Sequence, residues 1–98
     1  MNCVSLTLTT SAQTLREIDS KIPKEAAVLI LQAPSTNSGI AYFGNSAIQP
    51  FELAAGDPLY AVPADVPGGR VNCDEFYVKG TAADKLSVSW IEVNKTEL

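Results

Sequence analysis

The sequence predicts an all-β protein, an antiparallel β-sandwich or jelly-roll-like fold of about seven or eight short strands. Three observations carry that expectation. Near the start, Val4, Leu6 and Leu8 alternate with Ser5, Thr7 and Thr9. Near the end, Leu86, Val88 and Trp90 alternate with Ser87 and Ser89. A period of two places one set of side chains on each face of a strand. Between these runs, turn residues recur every 8–12 residues or so, and no long helical period competes.

Taken in order, Cys3 to Thr9 reads as a first strand with one wet face. Ser11 to Ile18 reads as a short strand or an irregular connection, with one helical turn as the alternative, since Leu15 and Ile18 have helical spacing. Ile22-Pro23 interrupts regular structure, because proline lacks a donor and restricts the residue before it. Ala26 to Ala33 is the most apolar run and reads as a central strand covered on both faces. Pro34 to Gly39 is a loop of residues that bond their own backbone.

Ile40 to Phe43 is the next strand, turned by Gly44-Asn45-Ser46, and Ile48 to Leu53 runs back with Pro50 marking a sheet edge. Ala55 to Pro58 is a tight turn before the strand Leu59 to Val62. Pro63 to Arg70, with two prolines and two glycines, carries the longest loop signal. Val71 to Lys79 and Lys85 to Val93, joined through Gly80 and Asp84, read as a closing antiparallel hairpin. Residues 94–98 read as a loose tail.

Ninety-eight residues suit one domain, which buries about 60–65% of its unfolded surface. Only 18% of residues are charged, and a surface rich in Ser, Thr, Ala and Asn fits partial coverage by a partner. Net charge is −4, and the seven Lys and Arg residues stand singly. That pattern speaks against direct nucleic-acid binding, which needs a basic stripe. No apolar run is long enough to span a bilayer, and the first residues lack the pattern of a secretory signal. Asn94-Lys95-Thr96 matches the glycosylation pattern, a chance match in a chain made in the cytoplasm. Cys3 and Cys73 are expected to be reduced strand residues; a disulfide between them requires their strands to pair.

The chain contains no histidine. This removes the commonest general base, metal ligand and nucleophile partner together, so neither enzyme activity nor a metal or other cofactor is expected. Asp74 and Glu75 are adjacent on a strand and point to opposite faces. Asp57, Asp65 and Asp84 occupy turn positions, and the six glycines never assume a phosphate-loop spacing. Tyr42, Tyr60 and Tyr77 either pack at the rim with wet hydroxyls or form an aromatic sugar platform. Beyond Trp90 the apolar parity switches to Ile91 and Val93. Either a bulge re-aims the strand there, or a neighbouring subunit covers its outer face.

The order Asn37-Ser-Gly39, Ile40-Ala-Tyr-Phe-Gly44, Phe51-Glu-Leu-Ala-Ala-Gly-Asp-Pro-Leu59 and Phe76-Tyr-Val-Lys-Gly-Thr-Ala-Ala-Asp-Lys-Leu-Ser-Val88 resembles small virion structural proteins of tailed bacteriophages, among them capsid decoration (cement) proteins. The likeness covers residues 25 to 93 and lies in glycine placement and strand order. It implies a non-catalytic sandwich on the outer surface of a phage head, often trimeric, clamping neighbouring major capsid subunits. The candidate subunit contact is then Trp90, Ile91 and Val93, and the candidate partner loop holds Pro63, Asp65, Pro67 and Arg70. Two other roles stay open: a carbohydrate- or receptor-binding module of a tail fibre or baseplate, and a head–tail joining protein.

Overall fold

The computed structural model describes residues 2–62 and 69–92. In chain order these residues form β1 (Asn2–Thr7), β2 (Gln13–Thr14), α1 (Leu15–Ile18), β3 (Glu25–Gln32), β4 (Ala41–Gly44), β5 (Phe51–Leu53), β6 (Tyr60–Ala61), β7 (Val71–Asn72), β8 (Tyr77–Lys79) and β9 (Lys85–Glu92). Two antiparallel sheets result, as the alternation predicts. Sheet A runs β1-β9-β3-β6, with β7 also on β3; sheet B runs β2-β8-β4-β5.

The long strands β3 and β9 form the centre of sheet A. Leu29 pairs with Trp90 and Leu31 with Val88, while β1 pairs with β9 over its whole length. Leu6, Leu29, Leu31, Leu86 and Val88 are buried and meet Ala41, Phe43, Leu53 and Val78 of sheet B in a single core. Burying one such aliphatic side chain contributes about 1.5–3 kcal/mol relative to leaving it in water.

The sequence expectations need three corrections. First, Val71 to Lys79 is two strands, and the closing hairpin does not form. β7 joins sheet A, the chain turns through Cys73 and Asp74, and β8 joins sheet B between β2 and β4. The segment from Gly80 to Asp84 therefore crosses between sheets. It is held by bonds to residues just beyond β1: Gly80 N donates to Thr9 O (2.8 Å) and Leu8 N to Asp84 O (2.8 Å).

Second, β3 is central but covered on one face only; its outward Val28 is 37% exposed in the single chain. Third, the irregular stretch after Ser11 holds both a strand and a helical turn. Thr14 and Glu17 form a capping box there: Glu17 N donates to Thr14 Oγ1 (3.1 Å) and Thr14 N to Glu17 Oε1 (3.0 Å). This cap lets a four-residue helix exist, and the turn buries Leu15. Cys3 lies in β1 and Cys73 just past β7; the two strands do not pair, and the two cysteines are not joined in a disulfide.

Asp84 fixes the corner where the crossing ends and β9 begins. Its side chain is buried, and Oδ1 accepts from Ser38 N (2.9 Å) and Ser38 Oγ (3.1 Å). Oδ2 accepts from Gly39 N (2.9 Å). The Ser38 amide is the main reason the carboxyl titrates below its ordinary value of 3.8; burial opposes it, and the Gly39 amide and Ser38 hydroxyl add to it. A carboxyl lowered in the folded state stabilises the fold above its unfolded value, and that contribution disappears as pH falls through the folded value. The urea midpoint is accordingly expected to fall as pH drops below 3.8. The variant Asp84→Asn, less stable at neutral pH, should lose this part of the pH dependence. Parallel profiles for the two proteins would show that Asp84 does not carry it.

Candidate functional site

Two surfaces stand out once the strands are in register. One is the outer face of sheet A. Its side chains, set by the parity of the paired strands, are Cys3, Ser5 and Thr7 from β1, Lys85, Ser87, Ser89 and Ile91 from β9, and Val28, Ile30 and Gln32 from β3. Ala61 of β6 adjoins Ile30. Only Lys85, at the end of the strands, is charged among them.

Charges stand at the ends of this face instead. At one end Lys85 Nζ donates to Thr7 Oγ1 (2.7 Å). At the other, Arg70 Nη1 pairs with Glu25 Oε1 (2.9 Å), and Glu92 lies opposite Ala26. The outer face of sheet B differs: Tyr42 of β4 has Glu52 and Lys79 as its cross-strand neighbours, with Lys79 Nζ 6.0 Å from its ring centre. A sheet face washed only by solvent normally takes charged residues, and the depletion of charge at a patch centre with charge at its rim is the pattern of a covered interface.

The second surface is a cleft of about 350 Å³ lined by residues of both sheets. Phe43 lies at its base and stacks on Phe51 (5.5 Å between centroids) and Phe76 (5.6 Å), with Tyr60 tilted against it at 5.0 Å. Ile48, Pro50 and Val62 extend the apolar lining; Asn45 and Glu75 supply polar groups. Phe51 is 58% exposed, so the cleft opens to solvent past an aromatic edge.

The sequence-derived candidates distribute unevenly over these surfaces. Ile91 faces outward on sheet A, 44% exposed. Trp90 is a correction: it is only 4% exposed and points into the core, on the other side of β9 from Ile91, so the two share no surface. Its Nε1 has no partner among the described residues. The parity switch after Trp90 coincides with a register shift between Ala26 and Val28 of β3, so the extra residue belongs to the partner strand. Val93, Pro63, Asp65 and Pro67 lie outside the described residues. Arg70 is half-buried and held by Glu25.

Of the three tyrosines, Tyr60 alone enters the aromatic cluster, and Tyr42 and Tyr77 lie in sheet B. The cleft itself escaped sequence reading because its rings come from four separate segments. Asp74, adjacent to Glu75, is held by Arg16 Nη1 at 3.1 Å, a half-exposed pair worth about 0–1 kcal/mol. Among the described residues no group of His, Cys, Asp and Glu side chains is placed to hold a metal ion. No helix among them is long and apolar enough to cross a membrane. No protein-family model, curated protein or solved structure matches this chain.

Proposed function

We propose that this protein is a non-enzymatic structural protein that acts by covering other protein surfaces, in the role of a capsid decoration protein on a tailed-phage head. The observation that supports the reading is the outer face of sheet A, whose centre carries no charge and whose Val28 and Ile91 are left in water by the single chain. The partners are the major capsid protein and further copies of this chain. An acidic chain with its basic residues scattered, and Arg16 and Arg70 already in ion pairs, suits a protein partner better than nucleic acid.

Ile91→Asp tests this directly. The position is half-exposed, so the substitution should cost the isolated fold about 1 kcal/mol or less. A charge desolvated at an interface centre is far more costly, so the variant should lose binding to particles that lack the wild-type protein. Unchanged particle binding would remove the face from the proposal. Copy number per particle then separates decoration, which scales with the number of capsid subunits, from a neck or tail part present in a fixed few copies.

The aromatic cleft favours a second reading as a carbohydrate-binding module, since exposed ring faces stack on sugar rings. That reading predicts retention on a glycan array and its loss in Phe51→Ala.

A further inference from the structure

β1 closes one side of sheet A, and among the described residues only β9 pairs with it. The other outer strands are blunted by the devices proteins use to prevent edge pairing. β2 and β6 are two residues long, and Pro58 stands just ahead of β6. β5 has three residues and is entered through Pro50; β7 has two and sits beside the Arg70–Glu25 pair. β1 has six residues, with no proline, no glycine and no charge. Its inward Val4 is only half-buried, whereas Leu6 further along the same face is fully covered.

We propose that β1 is a pairing edge for a second copy of this chain, the two strands running antiparallel about a two-fold axis perpendicular to sheet A. An isologous contact must be self-complementary. Antiparallel self-pairing meets that condition when residues of equal parity face one another, because inward and outward side chains then stay on their own sides. Setting Val4 against Val4 of the second copy places Cys3 against Ser5 and Asn2 against Leu6. The half-buried Val4 gains its missing cover, and the unpaired backbone groups of both edges find partners.

Like charge is the general obstacle to self-association in a chain of net charge −4. Here the edge itself is neutral, with only Lys85 reaching its Thr7 end. The two outer faces become one continuous surface, but the pairing does not depend on the virion role.

Sedimentation of the full chain tests it. The wild type should run as two 10.4 kDa chains. Ser5→Lys, at an exposed position, should weaken pairing by at least about tenfold through like-charge contact across the axis. Cys3 is exposed and Cys73 buried, so a pyrene maleimide labels Cys3 selectively. In the proposed register the two Cys3 residues are diagonal neighbours about 7–8 Å apart, giving excimer emission that unlabelled chain dilutes away. Three outcomes overturn the pairing: a wild type that remains a single chain, a three-chain assembly, or Ser5→Lys leaving the dimer and excimer intact. A dimer lost in Ile91→Asp but kept in Ser5→Lys would place the contact on the sheet face, leaving the decoration role standing.

Discussion

Leu29→Ala is expected to lower the free energy of unfolding by about 2–5 kcal/mol, measured as a shift of the urea midpoint with unchanged slope. Leu29 is fully buried in the middle of β3, opposite Trp90 of β9, and its carbonyl accepts from Val62 N at 2.9 Å. Its backbone therefore ties three segments of sheet A together, and its side chain lies in the core between the sheets. Truncation loses the transfer free energy of three carbons and leaves a cavity between two sheets whose backbones are fixed by their ladders. Such a site collapses poorly, which favours the upper half of that range. Domains of this size have about 5–15 kcal/mol in total, so the variant should be folded at room temperature but unfold on mild heating. A loss below about 1 kcal/mol would mean that the sheets close the gap or that Leu29 is not buried as described.

The same strand shows how far the sequence can be read. Alternation in β1 and β9 identified their inner faces correctly, because each covers one face and the period of two is intact. In β3 the outward positions carry Val28 and Ile30, so the run looked covered on both sides. Apolar character alone cannot say whether the second cover is part of the same chain. The false hairpin has a different cause. Val78 and Leu86 both have strand-like neighbours, and a short turn between two strands suggests pairing. What sends them to different sheets is Asp84 bonding Ser38 and Gly39, together with Leu8 and Thr9 bonding the crossing segment. These are contacts across 45 residues or more, invisible to local pattern. The helical turn at Leu15 was only the alternative reading of its stretch, although Thr14-Leu-Arg-Glu17 has the spacing of a capping box. Of the candidate site, Ile91 followed from parity, whereas the cleft depends on four rings brought together only by the fold.

Gly44→Ala is expected to destabilise the fold by about 1–3 kcal/mol and to deform the aromatic cleft at the same time. Gly44 ends β4, where Asn45 N donates to Ile48 O (2.9 Å) and Asn45 Oδ1 accepts from the amides of Ala47 and Ile48 (both 2.9 Å). This loop folds back against the strand so closely that a methyl group on Gly44 would meet the Ile48 carbonyl, and would stand 2.9 Å from both Gln49 Cα and Pro50 Cδ. Backbone and proline ring cannot swing aside as a flexible side chain can. The loop must move outward, carrying Ile48 and Pro50, which line the cleft, and pulling at Phe51, which stacks on Phe43. Stability and cleft shape are thus coupled through one missing methyl. In the glycan-binding reading, Gly44→Ala should weaken ligand retention along with Phe51→Ala. In the decoration reading, where the outer face of sheet A makes the contact, it should lower the unfolding midpoint while leaving the assembly state of the folded protein unchanged. Sedimentation and glycan retention measured on this one variant, at a temperature where it is folded, therefore discriminate between the two surfaces.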